Sequence, residues 1–326
     1  MNVLITGAAG FLGHRLARAI LALPHLPAPD GTPRPVDEVR MLDVAAGPAL
    51  ADPRARSIVG DIADPVVLAA AIDRDTLAVF HLAAVVSGQA EADFDLGMRV
   101  NLDGTRHLLD VCRTLGHGPR VVVASSVAVY GGALPETVDD ATRLTPQSSY
   151  GTQKAIGELL VTDYSRRGFI DGRALRLPTI SVRPGRPNAA LSSFASGIIR
   201  EPLNGEPAVC PVAPETVLWL LSPRTVIECF LRAHAIDGAA LGFDRSLILP
   251  GLSISVAEMA AALARVAGPD VADLVRWERD ARVEHVASTW PGHLDASRAL
   301  GLGFPTDTSF DDVIRQHITE QSNQAG

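Results

Sequence analysis

The stretch Asn2-Val3-Leu4-Ile5-Thr6-Gly7-Ala8-Ala9-Gly10-Phe11-Leu12-Gly13 decides the fold of this 326-residue chain. Its first five residues are mostly branched and apolar, and after Gly13 apolar residues recur at helical spacing. The stretch therefore predicts a strand, a glycine turn and a helix. In such a turn Gly7 permits the bend and Gly10 lets the backbone approach a pyrophosphate at the helix start. We interpret it as a dinucleotide site, although its G-x-x-G-x-x-G spacing differs from G-x-G-x-x-G.

A carboxylate at the end of the second strand of such a site accepts hydrogen bonds from the adenosine ribose. Asp43 fits this position, since it closes the run Glu38-Val39-Arg40-Met41-Leu42-Asp43. It lies 30 residues after Gly13, and the five prolines between Pro24 and Pro35 predict an inserted loop that explains the long spacing. An Asp here would repel a 2′-phosphate, so the sequence favours NAD over NADP. Arg40 leaves NADP open as an alternative.

The chain contains one lysine, Lys154, against 28 arginines. Arginine supplies positive charge everywhere else, so this position is a candidate for chemistry that needs a compact ammonium group. Tyr150 lies four residues earlier, which places both side chains on one face of a helix, one turn apart. The alternative is an exposed helix residue in an arginine-biased chain.

Further motifs follow in order along the chain: Asp61-Ile62, His81-Leu82-Ala83-Ala84, Asn101, Ser125-Ser126, Tyr130-Gly131 and Tyr150-x-x-x-Lys154. Together with the glycine turn, and over residues 1 to about 185, they resemble the extended short-chain dehydrogenase/reductase family. The resemblance implies an α/β fold, with a Rossmann-type doubly wound parallel sheet and a smaller C-terminal α/β substrate domain. We expect an NAD-binding domain over residues 1–180 and a substrate-binding domain over residues 181–326, with some later segments returning to the Rossmann sheet.

The resemblance also implies a catalytic set of Ser126, Tyr150 and Lys154. Tyr150 would remove the hydroxyl proton of an alcohol while hydride leaves for the nicotinamide, and Lys154 would favour the phenolate and hold the ribose. Ser126 would hydrogen-bond the same substrate oxygen. Ser125 is the neighbouring candidate, but Ser126 lies 24 residues before Tyr150, as in the family.

The residues expected to bind NAD follow the family pattern along the chain. They are Gly7, Gly10, Phe11, Leu12, Gly13, Asp43, Asp61, Ile62, Leu82, Ala83, Ala84, Asn101, Tyr150, Lys154 and Pro178. His81 is expected to pack and to hydrogen-bond rather than to catalyse.

For the substrate, the expected binding residues are Ser87, Ser126, Tyr150, Arg183 and Arg224, with an arginine gripping a carboxylate. The run from 148 to 203 is similar to dehydrogenases of four-carbon sugar acids, which implies oxidation of D-erythronate at C2 to a 2-oxo acid with NAD as acceptor. Apolar residues 127–129 argue against a dehydratase. Sugar-nucleotide epimerases of the family usually carry an Asn that meets the diphosphate on the strand after the Lys; here that position is changed, which argues against a sugar nucleotide, and Pro178 is expected beside the nicotinamide carboxamide. An epimerase of a sugar or sugar nucleotide is the alternative hypothesis. A non-catalytic cofactor sensor is a third hypothesis, disfavoured by the intact Ser126 and Lys154.

Composition limits the partners. The net charge of −8 argues against a nucleic-acid partner, and no apolar run approaches the ~18 residues of a membrane span. Because the chain opens with a strand, we expect no signal peptide and a cytoplasmic protein. Three scattered cysteines lack metal-ligand spacing, so no metal is expected. By analogy with the family, we expect a homodimer. The Pro-, Ser- and Gly-rich region 186–223 is predicted to consist of connecting segments.

Overall fold

The computed structural model describes residues 1–185 and 191–325. Within these ranges the strands are β1 (Asn2–Thr6), β2 (Leu26–Pro27), β3 (Pro33–Arg34), β4 (Glu38–Asp43), β5 (Ala55–Val59), β6 (Thr76–His81), β7 (Arg120–Ser126), β8 (Asp171–Leu177), β9 (Thr179–Ile180), β10 (Ala208–Cys210), β11 (Val217–Leu221), β12 (Ser246–Ile248), β13 (Leu252–Ser255) and β14 (Val275–Trp277).

The α-helices of the same ranges are α1 (Phe11–Leu21), α2 (Pro65–Ala71), α3 (Ser87–Ala92), α4 (Phe94–Gly97), α5 (Gly104–Leu115), α6 (Ser149–Arg166), α7 (Phe194–Leu203), α8 (Pro223–Ala235), α9 (Gly238–Leu241), α10 (Val256–Ala267), α11 (Pro269–Ala272), α12 (Ala281–Ala287), α13 (Ser297–Gly301) and α14 (Phe310–Ala325). A π-helical turn over Met98–Asp103 joins α4 to α5, and short 3-10 turns span Val127–Val129 and Leu191–Ser193.

The main sheet has the strand order β12-β8-β7-β6-β1-β4-β5 in the described chain, and all its neighbouring strands are parallel. The chain runs from β1 to β5 in one direction and from β6 to β12 in the other. The expected doubly wound parallel sheet is therefore confirmed. Such a sheet binds ligands at the carboxyl ends of the strands beside the point of reversal, which here lies between β1 and β6.

Each face of this sheet is covered by helices. One apolar cluster joins β1 and β4 to α1 and α8, with Leu16, Ile20 and Phe230 fully buried. The other joins the opposite face to α2, α5 and α6 through side chains such as Leu68 and Leu108. The strands are consequently apolar on both faces, as buried parallel strands usually are.

A third apolar cluster lies in the C-terminal part, where α7, α10 and α14 pack around β11. β11 pairs with β9 and β13 in a separate three-stranded sheet, and β10 pairs with β14. β12 returns to the main sheet beside β8. The division into domains at residue 180 stays a prediction.

Helix starts in this chain follow local capping chemistry. The Ser222 hydroxyl accepts a hydrogen bond from the Thr225 amide at the start of α8, and the Ser255 hydroxyl does the same for Glu258 at the start of α10. Ser148 likewise caps α6 by accepting from the Gly151 amide at 3.1 Å. This cap fixes where the helix that carries Tyr150 and Lys154 begins.

One expectation from the sequence was incomplete and another was wrong. The proline-rich insertion does lie between α1 and β4, but it also contains β2 and β3, which pair antiparallel, and it buries Leu26 in the core. The region 186–223 contains α7, β10 and β11, because buried side chains such as Ile198 and Leu220 supply apolar contacts that its Pro and Gly content concealed. Residues 186–190, including Arg186 and Asn188, lie outside the described residues. Among the residues described, no helix combines the length and apolarity needed to cross a membrane.

Candidate active site

The glycine turn lies at the carboxyl end of β1, at the sheet's point of reversal. Gly7 has φ +70°, and a Cβ on it would come within 2.7 Å of the Ala83 nitrogen. A Cβ on Gly13 would come within 2.7 Å of the Ala8 Cα. Gly10 is the N-cap of α1 and provides no side-chain cap, so the first amides of the helix face outward. The backbone is therefore packed too closely at Gly7 and Gly13 for side chains, and the outward-facing amides at the start of α1 suit a pyrophosphate.

Phe11 and Leu12 form the first turn of α1 and are partly buried. The Arg15 guanidinium lies 4.7 Å from the centre of the Phe11 ring and is paired with Glu320 of α14. A cavity of about 810 Å³ opens beside this turn, lined by Gly10, Phe11 and Arg15 among others.

Asp43 ends β4 next to the same turn. Its Oδ2 accepts a hydrogen bond from the Ala9 amide at 2.9 Å. Arg40, which had left NADP open, is buried and held by Glu38, Asp73 and the Ala71 carbonyl. It is therefore not available to a 2′-phosphate, and the carboxylate of Asp43 remains the charge at this position.

Asp61 and Ile62 follow β5. The Asp61 carboxylate pairs with Arg99 and accepts from the Ala63 amide. Burial acts to raise the pKa of Asp61, but these hydrogen bonds and the Arg99 charge hold it below its usual value. Ile62 is only 4% exposed and packs beneath Gly104. Its side chain therefore belongs to the core. The expected binding of NAD by Ile62 would involve its backbone rather than its side chain.

Leu82, Ala83 and Ala84 follow β6 and are partly buried at the sheet edge, where Ala83 lies against Gly7. His81 is buried between two threonines, with Nδ1 2.8 Å from Thr6 Oγ1 and Nε2 2.9 Å from Thr105 Oγ1. Burial, with the nearby Lys154 charge, lowers the pKa of His81 to about 3. His81 therefore stays neutral and braces the edge.

Asn101 lies in the π-helical turn, and its amide is committed inside the protein. Its Nδ2 donates to the Val85 carbonyl at 3.1 Å and to Gln153 Oε1 at 2.7 Å, while its Oδ1 accepts from the Val85 amide at 2.8 Å. Both amide hydrogens are used in supporting the segment after β6, and the expected contact of this side chain with NAD stays a prediction. Sequence reasoning missed Gln153 as its partner.

Ser126 closes β7, and its hydroxyl accepts a hydrogen bond from the Ala128 amide at 3.1 Å. The neighbouring Ser125 is buried and donates to Glu158 at 2.5 Å. Because the Ser125 hydroxyl is committed, Ser126 is the serine of this pair that remains for a substrate oxygen.

Tyr150 and Lys154 lie on α6, with the Lys154 Nζ 5.6 Å from the centre of the Tyr150 ring. Burial raises the pKa of Tyr150 to about 12, and its hydrogen bond with Ser126 acts in the opposite direction. The structure therefore brings Ser126, Tyr150 and Lys154 together. Lys154 also donates to the Ala124 carbonyl at 2.8 Å, and burial lowers its pKa to about 8.

Pro178 is buried between β8 and β9, and Ser87 is partly buried at the start of α3. Both lie after sheet strands at the carboxyl edge. Arg183 follows β9, and its backbone is held by Ser196 and Arg200 of α7. Its partly buried guanidinium has no hydrogen bond or ion pair with the residues described here. Burial, followed by the Arg200 charge, lowers the pKa of Arg183.

Arg224 does not match its expected role. Its side chain is 66% exposed and pairs with Glu228 on α8 at 3.1 Å. It lines the cavity beside the glycine turn, whose lining includes none of the three catalytic candidates. It was expected to grip a carboxylate of the substrate, but at the start of α8 its side chain is exposed and paired with Glu228.

Sequence reasoning also missed a buried polar cluster behind the catalytic helix face. Glu158 lies four residues after Lys154 and is held by Arg176 at 2.8 Å, and Arg176 donates to the Tyr130 hydroxyl at 2.6 Å. The four-residue spacing from Lys154 was the signal by which Glu158 could have been found in the sequence.

No group of three or more potential metal ligands occurs in the parts of the chain that the structure describes, and all three cysteines are buried.

Known proteins are similar to this chain in sequence and in fold. The sequence profile of the NAD dependent epimerase/dehydratase family matches residues 3–219. D-erythronate dehydrogenase of Cupriavidus necator is 63% identical over 98% of this chain and 98% of its own length. The enzyme of the same name from Haemophilus influenzae is 44% identical, over 98% of this chain and 99% of its own.

Among solved structures, the crystal structure of a nucleoside-diphosphate-sugar epimerase from Agrobacterium tumefaciens has a TM-score of 0.93 and 42% identity. The match covers 99% of this chain and 95% of that chain. The two full-length relatives are dehydrogenases, and the family depends on NAD, so this chain is an NAD-dependent oxidoreductase. The match of the family profile over most of the chain, together with the glycine turn and the Ser126, Tyr150 and Lys154 edge, places this protein in the NAD dependent epimerase/dehydratase family.

Proposed function

We propose that the protein oxidises D-erythronate at C2 to the corresponding 2-oxo acid with NAD as acceptor. The observation that carries the proposal is the likeness to D-erythronate dehydrogenases along almost the whole chain, at 63% and 44% identity. The cluster of Ser126, Tyr150 and Lys154 at the carboxyl edge of the sheet supports alcohol oxidation.

Tyr150 is proposed as the base that takes the hydroxyl proton. To reach neutral pH from about 12, its pKa must fall by about 5 units, which takes roughly 7 kcal/mol at ~1.4 kcal/mol per unit. A unit charge ~5 Å away contributes about 3 kcal/mol at an effective dielectric constant of ~20. Lys154 is one such charge. The nicotinamide ring of bound NAD, which accepts the hydride, would supply a second positive charge. Two such charges together supply most of the required free energy, about 6 kcal/mol, whereas Lys154 alone supplies less than half.

Ser126 is proposed to hold the reacting oxygen. Its hydroxyl already interacts with Tyr150, so a substrate oxygen between the two would receive one hydrogen bond and lose its proton to the other. The residues after Ser126 form the apolar turn Val127–Val129. No acid follows the serine to protonate a departing hydroxyl, which weighs against dehydration.

NAD would be held by the glycine turn at its pyrophosphate and by Asp43 at its ribose. The turn has no room for side chains at Gly7 and Gly13, and Asp43 already contacts the turn through the Ala9 amide. With Arg40 buried in ion pairs, nothing at this position favours a 2′-phosphate.

Arg183 is proposed to grip the substrate carboxylate. It is a partly buried cation close to a second cation, Arg200, and a bound carboxylate would relieve their repulsion. Arg200 itself is paired with Glu201 at 2.5 Å, whereas the Arg183 guanidinium has no partner among the residues that the structure describes, so Arg183 is the better candidate of the two to bind an anion.

An epimerase remains the second candidate, because the Agrobacterium tumefaciens structure at 42% identity carries that name. Pro178 and Thr179 weigh against it, since neither offers a side-chain amide to a sugar diphosphate. We also propose that the protein is a cytoplasmic homodimer joined through α5 and α6. Leu159 of α6 is 66% exposed and would be buried against the partner subunit in such a dimer.

The test is NADH absorbance with purified protein, NAD and a panel of four-carbon sugar acids beside UDP-sugars. We expect NADH with D-erythronate, and Tyr150→Phe should nearly abolish it while NAD binding is retained. Conversion of a UDP-sugar without NADH would establish the epimerase instead. Substantial activity in Tyr150→Phe would remove Tyr150 as the base.

A further inference from the structure

Lys154 occupies an environment that opposes its charge. The residue is 6% exposed, and its hydrogen bond goes to a neutral group, the Ala124 carbonyl. An ammonium group in such a site loses its hydration, so burial favours the neutral amine. The proposed chemistry requires the charged form beside Tyr150, so a neighbouring negative charge is needed.

Glu158 provides a carboxylate at the required place. It follows Lys154 by four residues on α6, so the two side chains share one helix face. Its side chain is 3% exposed, so water screens the effect of its charge on Lys154 only weakly. Its charge is the influence that opposes the effect of burial on the pKa of Lys154.

The carboxylate is held in a fixed position from two strands. Arg176 of β8 donates through Nε at 3.2 and 3.1 Å to its two oxygens and through Nη2 at 2.8 Å. Ser125 of β7 donates to Oε1 at 2.5 Å. Such charge-assisted, bidentate contacts are strong and directional. Arg176 and Ser125 therefore hold the carboxylate in one place on the helix face that it shares with Lys154.

Other charged and titratable groups around the pair do not replace Glu158. His81 on β6 faces Lys154 but is neutral between its two threonines. Tyr130 accepts from Arg176, and Asp140 lies 3.6 Å from Arg176 on the connection before α6. Asp140 is shared with Arg298 at 3.7 Å, so its charge serves the two arginines.

We propose that Glu158, fixed by Arg176 and Ser125, is a positioning residue that keeps Lys154 charged beside Tyr150. The inference rests on the proposed function, because Lys154 is taken to assist the tyrosine. Beyond that function, the proposal is that Glu158 sets the ionisation state of the catalytic lysine although its carboxylate contacts neither substrate nor cofactor.

The single lysine of this chain makes a direct test possible. In protein labelled with ¹⁵N and ¹³C lysine, NMR gives one lysine side-chain signal, and its pH titration measures the pKa of Lys154 without substrate. We expect Glu158→Gln to lower this pKa by ~1 unit, as for loss of a buried opposite charge. The matched control is Asp140→Asn, which removes a carboxylate from the same arginine and should leave the Lys154 pKa nearly unchanged.

The steady-state consequence is a shift of the rising limb of kcat/KM for NADH formation toward higher pH in Glu158→Gln. Because a neutral Lys154 stabilises the phenolate less, kcat falls at pH 7 to 8 while KM changes little. If Glu158→Gln does not fold, Glu158→Asp keeps the charge but withdraws it, and should lower the pKa of Lys154 by a smaller amount.

An unchanged Lys154 titration in the folded Gln or Asp variant would overturn the proposal, as would an equal shift in Asp140→Asn. Since the titration needs no substrate, a failure here is distinguishable from a wrong assignment of the reaction. A shifted titration together with inactivity on every sugar acid would keep the role of Glu158 and reject the proposed substrate.

Discussion

Gly151, which follows Tyr150 on α6, should be intolerant of a methyl group for a catalytic reason. A Cβ at this position would overlap the Ala128 carbonyl oxygen and lie 3.0 Å from the Ala128 carbonyl carbon. The Ala128 amide donates to the Ser126 hydroxyl at 3.1 Å. A methyl group in Gly151→Ala therefore pushes the turn that positions Ser126 away from the helix that carries Tyr150.

The size of the effect follows from the overlap. To reach an ordinary carbon contact of ~3.5 to 4.0 Å, the two segments must separate by roughly 1 Å. A misplacement of ~1 Å between reacting groups costs on the order of 10²-fold in rate. Stability changes less, because overpacking costs about 1–3 kcal/mol while the better helix propensity of alanine returns about 1 kcal/mol. Gly151→Ala should remain folded and lose activity.

The assay is NADH formation from D-erythronate at saturating NAD, with thermal unfolding and NAD binding measured in parallel. The matched control is Gly157→Ala on the same helix, where the nearest atom to a Cβ is the Thr105 Cγ2 at 3.8 Å. We expect kcat to fall about 100-fold in Gly151→Ala and to stay near wild type in Gly157→Ala. A Gly151→Ala enzyme with wild-type kcat, or equal losses in both variants, would refute the reasoning.

Three further predictions concern other parts of the molecule. Arg183→Gln should raise KM for the sugar acid about 10- to 100-fold, as for loss of a charge-assisted bond of ~1.5–3 kcal/mol, whereas Arg224→Gln should not; equal KM values for the two variants would contradict the carboxylate role. Asp43→Asn should raise the NADP to NAD ratio of kcat/KM by about fivefold or more, since ~1 kcal/mol of repulsion persists even at the dielectric constant of water, and an unchanged ratio would show that Asp43 does not face the ribose. Because burial lowers the pKa of His81 and His234 to about 3, the unfolded chain binds protons first as pH falls below ~6.5. Stability is then lost at up to about 1.4 kcal/mol per pH unit for each histidine. Urea unfolding at pH 7.5 and 5.5 measures this loss, which His234→Gln should roughly halve, and a loss that is no smaller in the variant would argue against the neutral buried histidine.

The sequence by itself determined the nucleotide-binding half of the fold. The glycine turn, Asp43 and the apolar strand runs are local signals, because backbone bends and strand burial on both faces require particular residue types at fixed spacing. The pair Tyr150 and Lys154 could also be recognised, since helix periodicity alone places both on one face.

Only the tertiary structure decided how side chains from distant segments share partners. The spacing from Tyr150 favoured Ser126 over Ser125, but only the structure shows that the Ser125 hydroxyl is bound to Glu158 of another element. Arg40 and Arg224 are likewise ordinary cations in sequence. In the structure Arg40 is buried and paired with two carboxylates, so it cannot bind a 2′-phosphate, whereas Arg224 is exposed and paired with Glu228. Hydrogen bonds and ion pairs depend on positions in space, and for residues far apart along the chain those positions exist only once the sheet and its helices have packed together.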